Sequence, residues 1–350
     1  MKAKTYIFTS VFLMIIFVLY HFIVWNFFTK QFLVLNDQTI IGDLGRMSYS
    51  LNSLTKRKGS ISLTKRHIDF SLDSKGAEII TIGDSFSNGG AGGLNPYYQD
   101  YIATNYNKTV MNIQPLSQGY IETVLILSNN GMLDELGVKV IILESVEREV
   151  LRKYSKTINW NIYKDKEYIY KNLSTKNYGS NMPRLFFINN LNYNSLLYNL
   201  LYKYSDNAIF SKVYKTLLSK ELFTTINSDT LLFLNDDLSN LSSYDISNIA
   251  LINNNLNRLQ KELKKKNIKL YFMPVVDKYN LYSKYIINNK YKENIFFELV
   301  RTLQKDYILI DTKSILRELT DKGIKDVFYS DETHWGFKAS EEIFKQVKFQ

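Results

Sequence analysis

Two short stretches carry residue types that together can activate a serine: Gly83-Asp84-Ser85-Phe86-Ser87 and Asp331-Glu332-Thr333-His334-Trp335. A serine hydroxyl is a weak nucleophile until an imidazole takes its proton during attack, and the imidazole needs an acid to fix its tautomer. Asp331 stands three residues before His334. On a loop or first helical turn that spacing lets a carboxylate reach Nδ1 and leaves Nε2 facing a third group. Gly83 permits a tight turn, and a helix starting after Ser85 would aim backbone N–H groups at a developing oxyanion. Losing one such donor typically adds about 3 kcal/mol to the barrier. Taken singly, Gly-Asp-Ser reads equally as a turn with a helix cap, and His334 as a packed or surface histidine. Their joint presence points to a catalytic serine.

The rest of the composition narrows the candidates. The chain has no cysteine, which excludes disulfides, thiolate nucleophiles and zinc-thiolate sites. It has three histidines. His21 lies in an apolar segment and His67 in a polar connecting region, where a surface position is expected. His334 is left as the base. No His, Asp and Glu group has metal-ligand spacing along the chain, so neither a metal nor a cofactor is expected. Asn88 to Gly93, "NGGAGG", fits no phosphate-binding glycine pattern and reads as a flexible rim beside Ser85. The net charge is +10, but the lysines are scattered and form no arginine-rich face, so nucleic acid is not an expected partner.

The reactive stretches need elements that bring them together. "AEIITIGDS" is a short apolar strand pattern running into Ser85, and "KTVMNIQ", "VKVIILES", "IKLYFMPVV" and "YILID" are further buried-strand patterns. Helical periodicity separates them, in "IETVLILSNNGMLDEL" and in residues 246–267, where Ile246, Ile249, Ile252, Leu256, Leu259 and Leu263 share a face. This alternation predicts a parallel α/β sheet with Ser85 and His334 on loops at one carboxyl edge. Residues 151–244 break the pattern and read as a helical insertion. Residues 5–29 carry no charged side chain and match the ~20 apolar residues that span a bilayer. Lys2 and Lys4 precede this segment and Lys30 follows it, so charge counting puts residues 1–4 in the cytoplasm. The expected order is a cytoplasmic tail (1–4), a single-pass anchor (5–29), a connecting segment (30–75) and an extracytoplasmic domain (76–350). A cleaved signal peptide fits less well, because the apolar run is long and ends in bulky "FIVWNFF".

"GDSFS" around Ser85 and "DETHW" around His334 resemble the first and last motif blocks of the SGNH (GDSL-type) esterase and acyltransferase superfamily. The Trp after the histidine, with "IILESVEREV" and "MPVVDKYNLY", is similar to its alginate O-acetyltransferase branch. The resemblance implies a flavodoxin-like α/β/α sandwich with Ser85 as nucleophile, His334 as base and Asp331 as acid. It also implies a membrane-bound O-acyltransferase partner that hands an acyl group outward, and a polysaccharide hydroxyl as acceptor. Some relatives place the acid two residues before the histidine, where this chain has Glu332. The choice between the two stays open, with the three-residue offset favouring Asp331. The family's oxyanion hole takes a Gly and an Asn from its middle blocks. Gly119 in "LSQGY" is the candidate Gly, but "VIIL" is followed by Glu144-Ser145-Val146-Glu147-Arg148 instead of Gly-x-Asn-Asp. Glu147 and Arg148 read either as a structural ion pair or as substrate contacts. Lys278 reads either as a contact to an anionic sugar or as an exposed lysine. The implied function is transfer of an O-acyl group to a cell-surface polysaccharide. The alternatives are a carbohydrate O-acetyl esterase and an inactive glycan-binding or scaffolding subunit.

Overall fold

The β-branched, apolar runs of the sequence form a six-stranded sheet in which every neighbouring pair is parallel. The structure is a computed structural model that describes residues 2–29, 42–50, 62–71, 76–173 and 186–349. Lys30 and most of the connecting segment lie outside the described residues. In chain order, helix α1 (Lys2–Val24) ends in a π-helical turn (Trp25–Thr29) and is followed by a short helix α2 (Asp43–Ser48). Strands β1 (Ile68–Asp69) and β2 (Ile79–Ile82) precede helix α3 (Tyr98–Tyr106) and strand β3 (Val110–Ile113). The "IETVLILSNNGMLDEL" run divides into α4 (Tyr120–Asn129) and α5 (Met132–Glu135) at Gly131, whose φ of 83° is left-handed. Next come β4 (Val140–Val146), α6 (Glu147–Tyr154), α7 (Lys166–Leu173) and α8 (Asn190–Leu201).

Strands β5 (Val213–Leu217) and β6 (Thr230–Leu234) pair antiparallel as a separate ribbon, with Tyr214 opposite Phe233. The insertion was expected to be helical. In part it is a hairpin, because these two runs are β-branched and aromatic and bury Val213, Leu231, Leu232 and Phe233. After α9 (Asp236–Ser239), helix α10 (Ile246–Lys264) buries Ile249, Ile252, Leu256, Leu259 and Leu263 and leaves Ile246 exposed. The Asp245 side chain accepts from Asn248 N–H at its N-terminus, and Lys261 and Lys264 complement its C-terminus. Each of those buried side chains is worth about 1.5–3 kcal/mol in area removed from water. The chain closes with β7 (Lys269–Val275), α11 (Lys278–Tyr282), α12 (Phe296–Thr302), β8 (Ile308–Leu309), α13 (Thr312–Asp321) and α14 (Phe337–Gln346).

The strand order is β1-β3-β2-β4-β7-β8. β2, β3 and β4 are buried throughout, as strands covered on both faces must be. Helices α3, α13 and α14 pack as one group and α4, α6, α10 and α12 as another. The chain winds from β2 outward to β3 and then returns to β4 on β2's other side, so the order reverses between β2 and β4. Beyond the carboxyl ends of strands at such a reversal, the diverging loops leave a crevice. Ser85 follows β2 at that place.

Helix α1 is the one described helix long and apolar enough to cross a membrane: residues Ala3–Phe27 have a mean hydropathy of 2.5, and most of the segment is exposed.

Candidate active site

The sequence placed Ser85 at the start of a helix. The chain instead makes successive turns from Ser85 to Ala91, and α3 begins only at Tyr98. Two residues of the first turn, Asp84 and Ser87, are tied down. Asp84 Oδ2 accepts from Val146 N–H at 2.9 Å and pairs with Lys153 Nζ at 2.8 Å. Burial pushes the Asp84 carboxyl up, but the Lys153 ammonium outweighs it and brings it down to about 2. Glu144 Oε2 accepts from Asp84 N–H at 2.9 Å and from Ser87 Oγ at 2.7 Å. Full burial, together with the nearby Asp84 charge, raises the Glu144 carboxyl well above its ordinary range. Gly83 is required here for space: a Cβ would lie 1.9 Å from Ser87 Oγ and 2.1 Å from Glu144 Oε2. The turn thereby holds Ser85 out into solvent while its neighbours Phe86 and Ser87 are buried.

His334 meets that serine. Its Nε2 lies 2.6 Å from Ser85 Oγ, across 249 residues of chain. Its Nδ1 lies 2.7 Å from Glu332 Oε1. A carboxylate at Nδ1 requires the proton there, so Nε2 is the acceptor for the serine hydroxyl. The ring packs on Phe86, with centroids 4.6 Å apart, and Phe86 in turn meets Trp335 edge-on at 5.0 Å. A Cβ at Gly90 would fall 2.4 Å from His334 Nε2, so only glycine fits against that edge of the ring.

The carboxylate beside the imidazole is Glu332, not the expected Asp331. The three-residue offset suits a helix, but residues 329–336 are turns closed by an antiparallel bridge between Phe328 and Trp335, and α14 starts at Phe337. In this irregular loop it is Glu332, two residues before the histidine, whose carboxylate reaches Nδ1. Asp331 is fully buried and accepts from Gly42 N–H through Oδ2 at 2.8 Å, while its carbonyl accepts from Gly45 N–H at 3.0 Å.

Helix α2 was invisible as part of the site. Asp43 accepts from Thr333 N–H at 2.8 Å and from the Thr333 hydroxyl, and Asp43 N–H donates to Glu332 Oε2 at 3.3 Å. Burial and the adjacent Glu332 raise the Asp43 carboxyl above its ordinary range. Asp43, Glu332 and His334 thus bring ligand-type atoms within 4.8 Å of one another, a grouping that sequence spacing did not reveal. His334 and Glu332 in that group are already hydrogen-bonded to each other. The six residues of α2, Asp43–Ser48, are too few to show a helical period.

The tentative oxyanion and substrate residues occupy supporting positions instead. Gly119 N–H already donates to Leu116 carbonyl at 3.0 Å, and its neighbours are Lys156 and Glu122. Glu147 is fully buried and accepts from Asp277 N–H at 2.9 Å and Asn280 Nδ2 at 2.7 Å; burial pushes it up to about 8. Arg148 does not pair with Glu147: its Nη1 holds Asp277 Oδ1 at 2.6 Å and Asp237 Oδ1 at 3.2 Å. Lys278 is buried rather than exposed. Its Nζ donates to the carbonyls of Tyr329, Ser330 and Glu332 at 2.7, 2.8 and 3.2 Å. Burial pushes its ammonium down to about 7, against the pull of Asp331, Asp43 and Glu332. It therefore positions the loop that carries Glu332 and His334. Ser85 N–H has no acceptor among the described residues, whereas Gly119 N–H is already engaged. His67 is not a surface residue: its Nδ1 meets Asp100 Oδ1 at 2.6 Å, and its side chain is largely buried. Compared with protein-family models, curated proteins and solved structures, the chain matches none of them.

Proposed function

We propose that this chain is a membrane-anchored serine O-acyltransferase that works outside the cytoplasm, with an SGNH-type sandwich carrying the site and α1 as its single span. The observation that carries the reading is the aligned set Ser85 Oγ, His334 and Glu332, at 2.6 and 2.7 Å, with the serine open to solvent.

Ser85 Oγ attacks the acyl carbonyl of a donor while His334 Nε2 takes the hydroxyl proton. Glu332 holds the resulting imidazolium through Nδ1–H and stays ionised. The tetrahedral intermediate collapses, the donor's oxygen leaves with the proton from Nε2, and acyl-Ser85 remains. An acceptor hydroxyl then gives its proton to Nε2, attacks the ester carbonyl, and Ser85 regains its hydrogen as the new ester departs. The acceptor is a polysaccharide hydroxyl, and a membrane-bound O-acyltransferase beside α1 supplies the acyl group.

The solvent exposure of Ser85 supports a second reading, because water reaching acyl-Ser85 makes the same residues a carbohydrate O-acetyl esterase. The test is a chromogenic acetyl ester offered to the intact chain. A burst of chromophore and an acetylated Ser85 peptide are expected, and both should vanish in Ser85→Ala. Equal release by the two proteins rejects a serine acyl enzyme. Adding an oligosaccharide acceptor separates the two readings by whether acetylated sugar or free acetate accumulates.

A further inference from the structure

Helix α8 buries two polar side chains while leaving a row of large apolar ones exposed. Its two fully buried side chains are polar, Asn192 and Ser195, with Leu191, Tyr198 and Leu201 half-buried around them. Its outer side is apolar. Tyr193, Leu196, Leu197 and Leu200 follow helical spacing and are each between 43% and 51% exposed. Phe186 before the helix and Tyr204 after it are also exposed, at 81% and 79%. Held in water, such a patch forfeits about 25 cal/mol for every Å² left uncovered.

What the buried polar side touches identifies the surroundings of the apolar side. Asn192 Nδ2 lies 2.8 Å from His21 Nδ1, Asn192 Oδ1 accepts from Thr29 Oγ1 at 2.6 Å, and Tyr20 OH donates to Asn192 carbonyl at 2.9 Å. All three partners sit at the end of α1, where the apolar helix gives way to the rest of the chain. Helix α8 is therefore fastened to the point at which α1 would leave a bilayer. Twelve residues make a rod of ~18 Å, too short to cross ~30 Å of hydrocarbon but suited to lying in its surface. Lys203 and Lys212, both exposed, flank the patch and suit anionic headgroups.

We propose that α8 and its flanking turns lie in the interfacial layer of the same bilayer that α1 enters, with Leu196, Leu197 and Leu200 among the acyl chains. The insertion is then a membrane-contacting arm that sets the domain against the lipid surface. This rests on α1 spanning a membrane and not on the acyl chemistry of Ser85.

The chain has no cysteine, which allows single labels. Leu197→Cys and Tyr204→Cys, each carrying an environment-sensitive NBD fluorophore, would be placed in full-length protein in vesicles of phosphatidylcholine and phosphatidylglycerol. Tyr163→Cys, at another exposed position, serves as reference. Blue-shifted emission at 197 and 204, quenched by nitroxide-tailed lipid, with an unquenched reference, is the expected result. Water-like emission at both positions, indifferent to nitroxide lipid, overturns the proposal. So does shielding that appears only when a second copy or another membrane protein is added, because a protein then covers the face. The readout needs no turnover, so an inactive Ser85 would leave it unchanged.

Discussion

At the scale of single residues, Glu332 and Asp331 are neighbours with opposite duties. Glu332 faces the imidazole, whereas Asp331 turns back to accept from Gly42 N–H. Glu332→Gln should lower kcat by about 10²–10⁴-fold, because the amide no longer fixes the productive tautomer. Asp331→Ala should leave kcat within about threefold but cost about 1–3 kcal/mol, the price of an unpaired buried N–H. Ester hydrolysis and thermal melting on the same samples check both, and a larger kcat loss for Asp331→Ala would return the orienting role to that residue. Ser85 and His334 were legible in the sequence because a strand pattern runs into one and few histidines compete with the other. The acid was not, because its identity depends on whether residues 331–334 coil or extend, and both offsets suit some geometry. Lys278 was misjudged for a related reason: three carbonyls wrap its ammonium, and no sequence pattern announces backbone acceptors.

At the scale of elements, the turn after β2 replaces the expected helix and makes two glycines steric requirements. Gly90→Ala would press a methyl group to within 2.4–2.7 Å of three His334 ring atoms. Displacing the ring should cut kcat by about 10²-fold. The melting temperature should shift by only a few degrees, because Gly90 is exposed and the strain can relax outward. Unchanged turnover in Gly90→Ala would mean that the ring does not need its present seat. Helix α2 and the β5–β6 ribbon were the least readable elements. Leu44 of α2 packs against Val213 and Leu232 of the ribbon, and the ring of Tyr49 meets that of Tyr198 of α8 at a tilt, with centroids 4.9 Å apart. Those contacts join pieces distant in sequence, each too short to show a period of its own.

At the scale of the whole molecule, the parallel sheet was legible because strands covered on both faces read as continuous apolar runs. The buried charges beneath it were not, yet they govern how stability responds to pH. The Lys278 ammonium titrates at about 7 in the folded chain and near 10.5 when unfolded. Between these values the unfolded chain binds more protons, so this group's contribution to the unfolding free energy rises with pH. The cost of burying its charge is present in full below pH 7 and disappears as pH climbs toward 10.5. Urea unfolding at pH 6.5 and 9.5 should therefore show the wild type gaining on Lys278→Met, and a pH-independent difference would contradict the shift. The bonds between Asp43 and Thr333 close a loop of 290 residues, and Gly42 with Asp331 closes one nearly as long. Among the hydrogen bonds of the described residues these span the widest sequence separations, and closing so long a loop costs an entropy that grows slowly with its length. Ser85 meets its base only where residues 331–334 are held against residues 42–45, so any state in which those two segments part leaves an idle serine.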